Sequence, residues 1–345
     1  MSLSIRSSLL LLAAGFGLAG GTACTPTQVL EGADLTALKA LTDEVEPQFV
    51  WENLVSLTQA HATDQSVDCV SLFPEGVRKY YPELCNLSNT RSGLWVRDQF
   101  RSIPLEVHDD VSLGENDIRT TNIIAEIKGV SKPDEVILVG AHFDAFWQGA
   151  DDNSSGVAAM MEMARVLSKY KFERTIRFVG FDFEEYGITG SHRYLKEGKG
   201  EKVVTALIMD CIGYYSEKPG SQQSLPGLPS PTTGDFLAII ANDESSHEAA
   251  EVYKLNNELQ LMSTVPLISP GNGTFTMGQA LTLSDHLAFW FNHQKAVFLT
   301  DTANFRNPHY HKDTDTPDKL DPVRLGQATR VATAAVAYWA EGPKP

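Results

Sequence analysis

From residue 121 onward, continuous apolar runs alternate with stretches of helical periodicity. Val136-Ile137-Leu138-Val139-Gly140-Ala141 runs unbroken to His142, and the run over residues 175–183 ends at Glu184-Glu185. A third, residues 203–209, ends at Asp210. Runs without polar alternation predict strands buried on both faces. Between the first two, Val157, Met160, Met161, Ala164 and Leu167 share one face of a helix reaching Tyr170, with Asn153 or Ser154 placed to cap it. Further strands are expected at residues 121–128, 236–241 and 295–300, and helices at 244–258 and 322–338. Strands separated by such helices imply an α/β fold, a largely parallel sheet covered on both faces. Ahead of it, residues 33–62 read as helical and 63–118 as irregular, apart from a helix at 94–101. A Pro-, Gly- and Ser-rich loop at 219–233 interrupts the later strands, where long loops often wall a pocket. The simplest division is a leader at 1–23, a lead-in at 24–120 and one catalytic domain at 121–345.

The ends change the picture more than the composition does. A content of 42% hydrophobic and 9% aromatic residues is ordinary for a chain with a packed core. The net charge of -16 is spread without acidic blocks, and it argues against a nucleic-acid partner, which requires basic patches. Residues 1–23 carry Arg6, an apolar stretch at 9–19 and small residues before Cys24, the pattern of a secretory signal peptide. That stretch falls short of the roughly 20 residues of a spanning helix. Export to the periplasm or the extracellular space is therefore expected. Cys24 resembles the acceptor cysteine of a bacterial lipoprotein, which would tether the protein to the membrane, although Gly21 stands where such signals usually carry Leu. The alternative is cleavage after Ala23. In an exported chain Cys69 and Cys85 are candidates for a disulfide, whereas Cys211 reads as a small buried residue. No Cys-x-x-Cys pair is present, which argues against a structural zinc ribbon.

Three consecutive strands deliver imidazole or carboxylate at their C-terminal ends, where open α/β sheets hold their ligands. His142 has the chemistry of a zinc ligand, and Asp144 is placed to accept its other ring proton. Asp151-Asp152-Asn153 offers more oxygen donors than one helix cap uses, and the adjacent Glu184-Glu185 would repel without a cation or shared proton between them. Met160 and Met161 read as core.

These segments, together with Asp210-Cys-Ile-Gly-Tyr214, Gly234-Asp-Phe236, Ser284-Asp-His286, the run from Asp301 through His309-Tyr-His311, and Asp315-Thr-Pro-Asp-Lys-Leu320, resemble the zinc aminopeptidases of the bacterial leucyl aminopeptidase and aminopeptidase Y type. The resemblance covers residues 122–320. It implies a three-layer α/β/α sandwich around a mixed, mostly parallel sheet, and two zinc ions per chain. Asp152 would bridge both ions, with Glu185 and His311 completing one site and His142 and Asp210 the other. Three ligating carboxylates and a bridging hydroxide would balance the four positive charges. Glu184 would be the general base, Asp144 a supporting catalytic residue, and the substrate a peptide with a free N-terminus. His309 is expected to shape the pocket, and His286 to be structural or to line the substrate. Phe146, Trp147, Tyr214, Tyr215 and Phe305 are candidate pocket walls. Some relatives place a Tyr just before the Ser-Asp-His run to bind the oxyanion. Here Leu281-Thr-Leu283 occupies that stretch, and Thr282, Tyr310 or the metal alone is left for the role.

Two other readings compete. Glutaminyl cyclases resemble the same motif set but use one zinc to form N-terminal pyroglutamate, and Asp152-Asn153 and the segment 184–191 suit the peptidase better. A binding module on a scaffold that has lost its metals predicts missing ligands, and none is missing. The residues do not fix an oligomeric state.

Overall fold

The computed structural model describes residues 30, 33–64, 87–113, 119–198, 202–224, 231–271 and 279–344. The leader, Cys24, Cys69 and Cys85 lie outside these residues.

Ten strands are described: β1 (Leu87–Ser88), β2 (Glu106–Leu113), β3 (Arg119–Ile127), β4 (Lys132–His142), β5 (Ala145–Phe146), β6 (Arg174–Phe181), β7 (Lys202–Met209), β8 (Leu237–Asn242), β9 (Thr264–Ser269) and β10 (Ala296–Thr300). Eight of them form one sheet in the order β2-β3-β6-β4-β7-β10-β8-β9. Strands β6, β4, β7 and β10 run parallel to their neighbours within that group. β2 and β3 add antiparallel at one edge, and β8 and β9, parallel to each other, add antiparallel to β10 at the other. β1 and β5 pair separately as a short antiparallel ladder. The sheet is mixed, with its parallel part at the centre, where both faces are covered.

The apolar strand residues divide by parity between two cores. Ile137, Val139, Ala141, Phe178, Leu207 and Met209 meet α1 (Leu35–Asp43), α2 (Pro47–Asp64), α3 (Thr90–Ser102), α4 (Gly156–Leu167), α6 (Ser246–Leu259) and α8 (Pro322–Trp339). Leu138, Val179, Phe181, Ile208 and Phe298 face the other way, toward α5 (Thr189–Lys196) and α7 (His286–Phe291), from which Tyr194, Phe289 and Trp290 descend. Met160 and Met161 are core, as their periodicity predicts, and Met163, off that face, is core as well.

Two local expectations differ from the structure. The helical stretch at 33–62 is two helices, because Pro47 opens α2 while the Glu46 N–H donates to Glu162 Oε1 on α4 (2.6 Å). The stretch read as irregular contains β2, an edge strand whose only buried position among eight is Ser112. An edge strand with so little burial lacks the apolar signal that marks its neighbours. Among the described residues, no helix is long and apolar enough to cross a membrane.

Candidate metal centre

β4 lies between β6 and β7, so the chain moves to one side of it and then returns to the other. This switch point leaves a crevice at the strands' C-terminal ends. His142 is the last residue of β4, Glu184 and Glu185 follow β6, and Asp210 follows β7. Asp152 comes from the turn between β5 and α4, and His311 from the loop after β10.

Asn153 fixes the Asp152 turn. Its Oδ1 accepts from the N–H of Gly156 (3.0 Å) and of Cys211 (3.3 Å), and its Nδ2 donates to Met209 O (2.9 Å). The amide thus caps α4 and ties the turn to the end of β7. That releases Asp152 for other work.

Two triads of donor atoms result, His142 with Asp152 and Asp210, and Asp152 with Glu185 and His311; within each the atoms lie inside 4.8 Å of one another. His142 Nε2 is 3.3 Å from Asp152 Oδ1 and 3.4 Å from Asp210 Oδ1. His311 Nε2 is 3.0 Å from both Asp152 Oδ2 and Glu185 Oε2. Asp152 gives one oxygen to each triad. His142 Nδ1 lies 2.9 Å from Asp144 O, and donating its proton there leaves a lone pair on Nε2 aimed at two carboxylates. Nε2 of His142 is buried without a hydrogen-bond partner, and Oδ2 of Asp152 and Oε2 of Glu185 converge on His311 Nε2. Such a set of converging lone pairs fits a cation, and mixed imidazole and carboxylate donors suit zinc.

The electrostatics of the bare cluster agree. Burial pushes the Glu185 carboxyl up to about 8, with Asp152 adding repulsion. Burial also holds Glu184 well above the usual carboxylate range; His142 opposes this, and Glu185, Asp210 and Asp285 reinforce it. Burial alone would lower His311, yet Asp152 and Glu185 carry it up to about 11. Protons on the histidines there supply positive charge that a bound cation supplies instead.

Asp144 is fully buried but does a different job from the one expected. Its carboxylate accepts the N–H groups of Glu184 (3.0 Å) and Glu185 (3.1 Å), while its Oδ1 is 3.6 Å from His142 Nδ1. The main-chain oxygen of Asp144, not the carboxylate, is the closer acceptor for the imidazole. One residue thus orients both the histidine and the Glu184-Glu185 turn.

The remaining histidines stand apart. His286 Nε2 lies 2.8 Å from Leu281 O, and its ring stacks on Phe298 at 4.2 Å, so it is packing. His309 Nδ1 meets Thr314 Oγ1 at 2.9 Å, outside both triads. Of the candidate walls, Phe305 lines a small cavity of about 30 Å³ beside Asp210, together with Ile240, Leu281, Leu283, Phe298 and Tyr310. Phe146 instead packs edge-on against His311 (4.9 Å), and Tyr215 lies under the guanidinium of Arg306. Tyr214 faces His309 at 6.3 Å.

Tyr310 was left open by the sequence. Its ring stacks on His311 at 3.9 Å. Burial raises its hydroxyl well above the ordinary value, and the charges of Asp152, Glu185 and Asp210 add to that, which keeps it protonated beside both triads. The signal was its place directly before the last ligand candidate.

A mixed α/β sheet with a carboxylate shared between two donor triads at its switch point defines a hydrolase-type metal centre. The profile described as Peptidase family M28 matches residues 122–336, and the chain belongs to that family and is a peptidase. The Escherichia coli protein YfbL is 29% identical over 80% of this chain and 88% of its own length. Aminopeptidase YwaD of Bacillus subtilis is 30% identical over 62% of this chain, which spans 43% of that relative. Among solved structures, the Legionella pneumophila LapA aminopeptidase superposes with a TM-score of 0.66 at 18% identity, over 95% of this chain and 79% of that one. BSAP, a zinc aminopeptidase from Bacillus subtilis, gives 0.52 at 23% identity over 66% of this chain and 52% of its own. The glutaminyl cyclase of Porphyromonas gingivalis shares the fold at 0.60 and 16% identity, over 86% and 99%.

Proposed function

We propose that the protein is a zinc-dependent aminopeptidase that removes the N-terminal residue of peptides, working through two zinc ions. The observation that carries this is the Asp152 carboxylate, one oxygen of which faces each triad. His142 and Asp210 would hold one ion, Glu185 and His311 the other, with Asp152 between them. When bound, such ions would lower the pKa of a water to about 7 and polarise a carbonyl oxygen.

The chain's own residues do the rest. Glu184 takes the proton of the attacking water and passes it to the leaving amine. Asp144 holds Glu184 at its backbone, so the base does not drift when its charge changes. The Tyr310 hydroxyl donates to the carbonyl oxygen as negative charge develops there. The substrate's free ammonium sits against the acidic rim of Glu184 and Glu185, and its side chain lies toward the apolar residues Ile240, Leu281, Phe298 and Phe305. Residues 1–23 would place this activity outside the cytoplasm, which fractionation of cells expressing the full chain tests.

The direct assay compares zinc-loaded protein on leucyl-peptides with free and acetylated N-termini. Release of leucine from the free peptide alone is expected. Equal cleavage of the acetylated peptide would overturn the exopeptidase reading, and conversion of glutaminyl peptides to pyroglutamate without hydrolysis would favour the cyclase.

A further inference from the structure

The segment that carries His311, residues 307–315, is exposed over most of its length, yet its two end residues are almost completely buried, Asn307 at 3% and Asp315 at 1%. They stand four residues before and four residues after His311. Both are planted on the turn that carries Asp152. Asn307 Nδ2 donates to Asp151 Oδ2 at 2.7 Å, and Asn307 Oδ1 accepts the N–H of His309 at 2.9 Å. The Asp315 carboxylate accepts the N–H of Asp151 with both oxygens and that of Asp152 with one, all at 3.1 Å. The main-chain oxygen of Asp315 accepts the N–H of Ala150 at 3.3 Å. Asp151 in turn is held from the far side by the N–H of Gly213 at 2.9 Å.

We infer that Asn307 and Asp315 form a two-footed staple that fixes the distance between His311 and Asp152, and so act as positioning residues for the Glu185–His311 zinc pocket in particular. This rests on the two-zinc reading of the site. His311 is 37% exposed at its side chain and sits at a backbone φ of 56°. Its ring contacts are with Phe146 and with Tyr310 of the same loop, so on this exposed, left-handed stretch the loop's attachment sets where the pair sits. The 3.0 Å approach to Asp152 is imposed from the loop's two feet. His142, by contrast, is anchored in a central strand and through Asp144 O, with no contribution from this loop. Asn307 therefore acts on the His311 pocket alone, whereas Asp315, through the N–H of the shared Asp152, also reaches the His142 pocket.

The test is zinc binding by metal-free protein across buffered free-zinc concentrations, read by calorimetry and by the visible spectrum of the cobalt-substituted form. The variants are Asn307→Ala and Asp315→Asn, with His311→Ala and His142→Ala as references for loss of either pocket. Val336→Ala, a core change in α8 away from the loop, serves as a control for lost stability. Wild type should take two equivalents. Asn307→Ala should keep one at wild-type affinity and bind the other about 10- to 100-fold more weakly, the usual effect of removing a residue that orients a ligand. Its remaining cobalt spectrum should match that of His311→Ala. Asp315→Asn, which also loosens the shared Asp152, should weaken the His311 pocket most and the His142 pocket less. Should Asp315→Asn fail to fold, Asn307→Ala decides alone. Equal weakening of both equivalents in Asn307→Ala, as in Val336→Ala, or no weakening, overturns the staple while leaving the two-zinc reading intact. A wild type that takes only one equivalent overturns that reading and the staple with it.

Discussion

Replacing Glu184 with Gln separates what the carboxylate does for catalysis from what it does to the fold. The change keeps shape, and the contact that places the residue, its N–H to Asp144 Oδ1 at 3.0 Å, belongs to the backbone and survives. Glu184 is absent from both donor triads, so zinc content should not change. Loss of a positioned general base typically costs about 10²- to 10⁴-fold in rate. At about 1.36 kcal/mol per tenfold, that is roughly 2.7 to 5.5 kcal/mol of transition-state stabilisation. Stability should move the opposite way. Burial raises the folded-state pKa of Glu184 above its unfolded value, so its contribution to stability is full below the unfolded value and is lost as pH rises through the folded one. Near neutral pH a neutral amide removes that loss, and the metal-free variant should unfold at a higher temperature than metal-free wild type. Steady-state hydrolysis of leucyl-peptide, elemental analysis and calorimetry of metal-free protein read the three quantities. Retention of more than a tenth of wild-type kcat with zinc in place would remove Glu184 as the base, and a lower melting temperature would refute the electrostatic reasoning.

Other perturbations reach the neighbouring parts of the site. Tyr310→Phe should lower kcat about 10²- to 10³-fold with KM little changed, as loss of one oxyanion donor does; a pure KM effect would make Tyr310 a pocket wall only. Asp144→Ala strands the half-buried N–H groups of Glu184 and Glu185, each costing up to about 1–3 kcal/mol, and stability to urea together with zinc affinity should both fall. Unchanged zinc affinity would show that Asp144 holds nothing the metal needs. Burial lowers His286 to about 4 from 6.5, so its contribution to stability is present above pH 6.5 and is lost as pH falls toward 4, up to about 3 kcal/mol. His286→Gln should reduce the fall in stability between pH 7 and pH 4.5; an identical fall would mean that the imidazole does not stay neutral in its stack.

The central strands were legible because burial on both faces leaves unbroken apolar runs, and the polar residues that end them stand out against those runs. β4, β6 and β7 therefore announced both the sheet and His142, Glu184, Glu185 and Asp210. β2 was hidden for the converse reason, since an exposed edge strand held mainly by backbone pairing to β3 needs no apolar pattern. The role of Asp144 was half legible: sequence marks a carboxylate two residues after His142 but cannot tell that the carbonyl of the same residue meets the imidazole. Asp152 and His311 lie 159 positions apart and meet only through loops, so their pairing came from resemblance, and the structure brings them to 3.0 Å. Asn307 and Asp315 lay inside quoted motifs without a role, because their targets are the carboxylate and N–H groups of another loop, which no local pattern reveals.

The shared carboxylate is the centre of the account, and metal stoichiometry tests it most directly. Elemental analysis of wild type and Asp152→Ala, each equilibrated with zinc and freed of excess, should give two ions per chain and none. One ion in wild type, or two in Asp152→Ala, would contradict a site built around a bridging Asp152.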